Sequence, residues 1–146
     1  DVLTTGNHVW DKREIISCIS KNDRLLRPLN MIKGTPGLGT TIVEVDAGKI
    51  GVANIMTNLF MPPTDPVFEK IPEITNSLKL KTNVDFSIVD VHGEASSEKM
   101  ALGFALDGNV SAKRSIPVPD GMAAVIPTIL LSFSACLIKV FAKILV

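Results

Sequence analysis

Each of the two histidines in the chain stands beside side chains with which it could do chemistry. His8 follows Asn7 in the segment Thr-Thr-Gly-Asn-His-Val-Trp-Asp, and His92 lies between Asp90 and Glu94. A neutral Asn oxygen is a hard ligand that suits Mn, Mg or Fe. A neighbouring imidazole can donate a proton to a leaving group or stabilise charge on a phosphoryl oxygen. Chance matches to so short a motif are common, so Gly-Asn-His alone also fits a left-handed turn followed by a packed His.

The carboxylates beside His92 also have two interpretations. Asp90 and Glu94 could orient a metal-binding ring by accepting a hydrogen bond from it. They could equally be a solvated pair of charges. A single His at a strand end is more often a satisfied polar residue than a ligand, so these residues alone leave the role of His92 open.

Two other segments have a superficial likeness to catalytic motifs. The segment 34–39 is rich in glycine, but no Lys-Ser/Thr pair follows it and it leads into a predicted strand. This pattern argues against a P-loop and favours a turn. Ser96 and Ser97 stand at a predicted helix start, where a Ser usually acts as a cap.

The elements that would position these residues alternate between strands and helices. The hydrophobic pattern predicts strands over 1–4, 40–45, 50–56 and 84–91, a further strand beginning at 109–112, and helices over 11–20, 66–80 and 96–106. Asp11 is the expected cap of the first helix, Pro72 should move the start of the second, and Gly108 should follow the third. This order predicts an α/β layered domain with a hairpin at 46–49 and both histidines at carboxyl ends of strands.

Composition limits the classes of function. The chain has 146 residues, enough for one domain with a core, and 15 basic side chains balance 15 acidic ones. A zero net charge gives no reason to expect a stable nucleic-acid partner. Cys18 and Cys136 have apolar neighbours and no CxxC spacing, so we expect reduced core residues and a cytoplasmic location. No signal sequence opens the chain, and its start within a strand indicates a piece of a longer protein.

Five blocks of sequence, read in order, resemble the YmdB-like branch of the calcineurin-like metallophosphoesterases. The blocks are residues 1–12 (DVLTTGNHVWDK), 24–28 (RLLRP), 34–39 (GTPGLG), 54–56 (NIM) with 60–63 (FMPP), and 90–99 (DVHGEASSEK) with 106–112 (LDGNVSA). The resemblance covers residues 1 to about 112. One block would be weak, but five in register are specific, and they favour a functional role for His8 and His92.

The resemblance implies a β-sandwich flanked by helices and a metal-dependent phosphodiesterase activity. It implies that Asn7 and His92 are metal ligands and that His8 is the catalytic histidine. Two divalent ions of the Fe, Mn or Mg type would clamp the phosphate and activate a bridging hydroxide for in-line attack. The implied substrates are phosphodiester or nucleotide small molecules, including cyclic nucleotides.

The chain departs from the family pattern at both ends. A strand with a metal-binding Asp and a Gly-Glu-Asn segment would precede Asp1, and a Gly-Thr-His-Thr-His motif would follow Ala112. Lys113 begins a different sequence there. We therefore expect residues 1–112 to form a partial, incomplete metallophosphoesterase domain and residues 113–146 to be a divergent apolar tail, the result of a reading-frame shift or a degenerate gene. An open sheet edge would favour pairing with another copy, as a homo-oligomer.

The tail has three interpretations. Residues 121–138 carry no charge, which just reaches the length of a membrane helix. Pro127 and nearby hydroxyl side chains lower its hydrophobicity, so membrane attachment is the weakest of the three. The others are a buried helix and a sequence that is not native to this fold.

Two functional hypotheses follow from the sequence. The first is a phosphodiesterase-family enzyme whose chain, taken alone, has little or no activity, because Asn7 and His92 are too few ligands for a dinuclear site. The second is a non-catalytic remnant, or a binding or assembly module, that keeps part of the fold.

Overall fold

The computed structural model of the chain describes residues 1–116, and only the backbone of the last three. The predictions for Cys136 and for most of the apolar tail lie outside these residues. The elements in chain order are β1 (Leu3–Thr4), a 3-10 turn (Gly6–His8), α1 (Ile15–Ile19), β2 (Leu25–Leu26), β3 (Thr40–Val45), β4 (Gly48–Met56), a second 3-10 turn (Val67–Lys70), α2 (Ile71–Ser77), β5 (Phe86–His92), α3 (Ser96–Ala105) and β6 (Ala112–Ile116).

The strands form two sheets. β1 and β2 pair in parallel, and the other four strands form a sheet in the order β3-β4-β5-β6. β3 and β4 are antiparallel and the remaining pairs are parallel. The predicted hairpin is confirmed, with Gly48 at φ +123 where β4 begins, directly after the turn. β4 and β5 pair from Ile50 with Phe86 to Met56 with His92, so their carboxyl ends lie side by side.

The four-stranded sheet packs differently on its two faces. Successive residues of a strand point to opposite faces, so Val89 and Val91 of β5 enter one core while Ile88 enters the other. The larger core lies against the helices and contains Ala53, Ile55, Val67, Ile74, Leu78, Val84, Val89, Val91, Leu102, Leu106 and Val110. The smaller core joins Leu26 of β2 to Ile50 and Val52 of β4. Each fully buried aliphatic side chain contributes about 2 kcal/mol to such cores.

The row of β5 side chains that begins with Ile88 continues with Asp90 and His92. Those two side chains therefore point towards β1 and the turn that follows it, on the face covered by the small sheet. The fold thus places polar groups of β5 opposite the Gly-Asn-His turn.

Three local predictions are wrong. Asp11 does not cap a helix, because α1 begins only at Ile15 and Glu14 precedes it. The helix expected over 66–80 starts as a 3-10 turn, and its α-helical part is confined to Ile71–Ser77. Pro72 stands in the first α-helical turn, where its missing N–H costs no hydrogen bond, so the shift that it was expected to cause is confirmed. Cys18 is a free thiol as expected, but it is exposed and not part of the core.

β6 runs from Ala112 to Ile116 and pairs with β5 along its whole length. The domain boundary near residue 112 stays a prediction. Within residues 1–116, no helix is long and apolar enough to cross a membrane.

The glycine-rich segment 34–39 is tied down by an arginine. The Arg27 guanidinium donates hydrogen bonds to the carbonyl oxygens of Pro36, Pro28 and Thr35 at 3.2, 2.7 and 3.3 Å. Burial lowers the pKa of Arg27, and attraction to Glu73 opposes that shift. The segment directs carbonyl oxygens to a cation, as expected for a turn and not for a phosphate-binding loop.

Candidate functional site

The turn that carries Asn7 and His8 is fixed to β2 through Thr5. The N–H and the hydroxyl of Thr5 both donate to the carbonyl oxygen of Leu26, at 3.0 and 2.9 Å. Gly6 then reverses the chain direction at φ +58, in the left-handed region that glycine adopts without strain. Asn7 is half-buried and His8 is exposed on the turn that results.

The same turn lies against His92. A Cβ atom added to Gly6 would overlap Nδ1, Cε1 and Cγ of the His92 ring, so the Gly6 backbone covers this part of the imidazole. Because Asn7 follows Gly6 directly, the structure brings Asn7, His8 and His92 to one end of the four-stranded sheet. The catalytic and metal-binding roles expected for these three residues stay predictions.

The His92 ring is held by a buried carboxylate. Nε2 of His92 lies 2.9 Å from Oδ2 of Asp90, and the Thr4 hydroxyl donates to the same oxygen at 2.6 Å. The His92 and Asp90 side chains are only 12% and 6% exposed. Of the two carboxylates that flank His92 in the sequence, Asp90 contacts the ring, whereas Glu94 is exposed.

His8 has a carboxylate partner of a different kind. Its Nδ1 lies 3.0 Å from Oδ2 of Asp11, and the two side chains are 67% and 62% exposed. The amide nitrogen of Asn7 lies 3.4 Å from Nε2 of His8. The Asn7 amide oxygen, which is the atom that a metal would need, is therefore directed away from His8.

Three buried oxygen atoms near the strand ends have no hydrogen-bond partner within the described residues: Asn54 Oδ1, Thr57 Oγ1 and Asp90 Oδ1. Asn54 pairs with Asp90 across β4 and β5, and the Thr57 N–H donates to the His92 carbonyl oxygen at 2.8 Å. A buried acceptor without a donor costs about 1 to 3 kcal/mol, which a water or a cation at that place would offset. Sequence reasoning missed Asn54 and Thr4, because only the strand register brings them to Asp90.

The chemistry of these side chains, taken one by one, is that of metal ligands. The Asn7 amide oxygen, Nδ1 of His92 and the unpartnered oxygens of Asp90 and Asn54 are of the hard and borderline kinds that divalent first-row metals accept. Residues 1–113 contain no group of three or more His, Cys, Asp or Glu side chains that could hold a metal. A filled dinuclear centre would therefore need donors from beyond the described residues.

Comparison with known proteins decides the family. A family model described as YmdB-like protein matches residues 1–114. The chain belongs to the YmdB-like protein family. The resemblance seen in the five sequence blocks is thereby confirmed.

A 2',3'-cyclic-nucleotide 2'-phosphodiesterase of Bacillus subtilis (strain 168) is 42% identical to this YmdB-like chain over 112 residues, which cover 77% of this chain and 42% of that protein. The chain therefore spans less than half the length of this relative.

Solved structures confirm the predicted α/β fold of the calcineurin-like type. A hypothetical protein from Thermus thermophilus superposes with a TM-score of 0.71 at 34% identity, covering 84% of the YmdB-like chain and 48% of that chain. A novel phosphatase from Mycoplasma pneumoniae superposes with a TM-score of 0.68 at 28% identity, covering 86% and 46%.

Proposed function

We propose that this YmdB-like chain supplies one part of the active site of a metal-dependent phosphodiesterase. The substrates would be phosphodiester or nucleotide small molecules, including cyclic nucleotides. The observation that carries the proposal is the contact between the Gly6 backbone and the His92 ring, because it unites the Asn-His turn with the end of β5. The named activity of the Bacillus subtilis relative supports the same reaction class.

In this proposal Asn7 and His92 are metal ligands. The amide oxygen of Asn7 and Nδ1 of His92 are the atoms with lone pairs that the hydrogen bonds of these side chains do not use, so they are available to a metal ion. When bound, Fe, Mn or Mg ions in a dinuclear arrangement supply charge neutralisation at the phosphate and a nucleophilic hydroxide at neutral pH.

His8 is the proposed general acid. Asp11 holds the ring through Nδ1, so Nε2 is the atom that would deliver a proton to the leaving oxygen. Exposure of the ring suits this role, since the proton acceptor is the substrate and not another part of the chain.

The proposal also includes a location, a set of partners and a domain division for this chain. A cytoplasmic protein fits the free, exposed thiol of Cys18, which an oxidising compartment would not preserve. We propose neither a stable nucleic-acid partner nor membrane attachment, and we propose that residues 1–112 form the catalytic-family domain and 113–146 a divergent tail. A homo-oligomer would cover an open sheet edge.

Grafting tests the proposed function. The matched segment of the Bacillus subtilis phosphodiesterase is replaced by residues 1–112 of this chain, and Mn-dependent hydrolysis of bis-p-nitrophenyl phosphate and of 2',3'-cyclic nucleotides is measured. We expect the chimera to be active and His8→Ala to lower its kcat by about 100-fold or more, the usual contribution of a general acid. Lys12→Ala, exposed in the same segment, is the control and should leave kcat unchanged.

An inactive but folded chimera, or one insensitive to His8→Ala, would contradict this proposal and favour the binding or assembly module. The 146-residue chain alone should show little or no hydrolysis. Robust Mn-stimulated cleavage by that chain, abolished by His8→Ala, would show instead that it holds a complete site.

A further inference from the structure

We propose that Asp90, itself held by Thr4, is a positioning residue that fixes the tautomer and the plane of the His92 ring. In this arrangement Nε2 carries the proton and Nδ1 keeps its lone pair for a divalent metal. The inference rests on the proposed function only in naming a metal as the partner of Nδ1. The hydrogen bond between the His92 ring and Asp90 is observed in the structure itself.

The tautomer follows from the chemistry of the Asp90 carboxylate. An ionised carboxylate can only accept hydrogen bonds, so the ring nitrogen 2.9 Å from its Oδ2 must be the one that bears hydrogen. That nitrogen is Nε2. A neutral imidazole has one protonated nitrogen, which leaves Nδ1 as the atom with the free lone pair.

The plane of the ring follows from what surrounds it. A rotation of the His92 ring by half a turn about its Cβ–Cγ bond would place Cε1 where Nε2 now lies beside Asp90. The buried carboxylate would then lose one of its two hydrogen-bond donors. Leaving such a group short of a hydrogen bond costs about 1 to 3 kcal/mol. The Gly6 backbone already lies against the ring, and it leaves room for the ring only because residue 6 has no Cβ.

The hydroxyl of Thr4 is important for the orientation of Asp90, because few other groups donate hydrogen bonds to this carboxylate. Oδ2 accepts from Thr4 and from His92, whereas Oδ1 has no partner within residues 1–113. The hydroxyl of Thr4 is therefore what keeps Oδ2 turned towards the ring. Thr4 lies in β1, so the arrangement links the small sheet to the end of β5.

Nuclear magnetic resonance of the complete 146-residue chain tests this inference without any metal. The chain contains two histidines, so imidazole nitrogen spectra hold two spin systems, and His8→Gln assigns them. At a pH where the rings are neutral, we expect His92 to show a protonated Nε2 with a slowly exchanging proton, and an unprotonated Nδ1. His8 is the internal control, because its ring is 67% exposed and its N–H proton should exchange too fast to observe.

Variants separate positioning from a merely structural role. Asp90→Asn keeps the shape but weakens the acceptor, so the His92 N–H proton should move upfield and exchange faster. Thr4→Val should speed exchange less, and Thr4→Ser, which restores a hydroxyl, should return the wild-type spectrum. A protonated Nδ1 in the wild type, or a His92 spectrum unchanged in Asp90→Asn, would overturn the inference. Circular dichroism checks that each variant is folded.

Calorimetric titration with Mn²⁺ of the Bacillus subtilis chimera that carries residues 1–112, with and without the same substitutions, measures the consequence for metal binding. Loss of a residue that orients a ligating His typically lowers metal affinity by about 10- to 100-fold, and we expect this in Asp90→Asn but not in Thr4→Ser. Equal Mn²⁺ affinities of the unsubstituted chimera and its Asp90→Asn variant would overturn the positioning role. An unsubstituted chimera that binds no Mn²⁺, although the chain shows the expected His92 spectrum, would instead contradict the proposed metal role of His92.

Discussion

The two histidine–carboxylate pairs of this chain have almost the same geometry and very different surroundings. His8 and Asp11 are 3.0 Å apart on an exposed turn, and His92 and Asp90 are 2.9 Å apart between two sheets. Water and salt screen the first pair, whereas the second loses little of its attraction to solvent. The comparison teaches that the distance between an imidazole and a carboxylate does not measure their contribution to stability; burial and the remaining hydrogen bonds do.

Both pairs are local in sequence, and they differ in what else holds them. His8 and Asp11 are three positions apart on a turn, and Asp90 and His92 are two positions apart on one strand. Only the buried pair has a distant third member, Thr4, which is 86 positions from Asp90 in the chain. The exposed pair suits a group that moves a proton, and the buried pair suits a group that must stay in place.

The largest effect is expected for Gly6→Ala, which would disturb the buried pair. The new Cβ would overlap the His92 ring, and alanine is strained at φ +58, so the free energy of unfolding should fall by about 3 to 4 kcal/mol. Urea unfolding followed by circular dichroism measures it. Gly108→Ala is the matched control, since Gly108 has φ +72 but an open surround, and strain alone should cost about 1 kcal/mol. Equal losses in both variants would show that the ring contact is unimportant.

Asp90→Ala should lower the free energy of unfolding by about 2 to 3 kcal/mol. The variant leaves the buried Nε2 of His92 and the hydroxyl of Thr4 without their acceptor. Glu94→Ala removes the other, exposed carboxylate beside His92 and should cost less than about 0.5 kcal/mol. The same urea unfolding compares the two variants, and a similar loss in both would remove the distinction between the buried and exposed carboxylates.

A smaller effect is expected for Thr4→Val, which deletes one hydrogen bond and keeps the shape. We expect a loss of about 1 kcal/mol in thermal or urea unfolding, because one donor to a buried carboxylate is gone. Thr4→Ser keeps the hydroxyl and should retain most of that stability. If valine and threonine were equally stable here, the hydroxyl would have no part in holding Asp90.

The smallest effect is expected for Asp11→Ala, which breaks the exposed pair. The free energy of unfolding should change by less than about 0.5 kcal/mol, and the difference should vanish in 1 M NaCl, at which the screening length is about 3 Å. Unfolding at low and high salt measures both quantities. A loss above about 1.5 kcal/mol that persists at high salt would mean that the exposed pair contributes to stability as the buried pair does.

Elements whose signals are local could be predicted from the sequence. The hairpin between β3 and β4 depends on the residues at its own turn, and α3 starts at Ser96 and ends before Gly108. The expected serine cap of α3 is wrong, because Ala95 occupies the N-cap position and no side chain caps the helix. β2 was missed, because its two residues become a strand only by pairing with β1. The expected cap at Asp11 was wrong because α1 begins only at Ile15, and the Asp11 carboxylate contacts His8.

In the candidate site, too, contacts that depend on the assembled fold could not be predicted from the sequence. Family blocks indicated Asn7, His8 and His92, and flanking carboxylates suggested a partner for His92, but the sequence could not choose between Asp90 and Glu94. The choice follows from strand alternation, which places Asp90 on the face of β5 that carries His92. Thr4 could not be found from spacing at all, since only the assembled sheets bring it to Asp90.

The long span between Thr4 and Asp90 has a kinetic consequence. Loop closure costs more entropy as the span grows, so the hairpin of β3 and β4 should form early and the docking of β1 late. On the ribosome, β1 would emerge well before its partners in β5 have been made. We expect a φ-value near zero for Thr4→Val and a higher one for Ile50→Val in the hairpin. The geometry of the candidate site would then be among the last features that the newly made chain acquires.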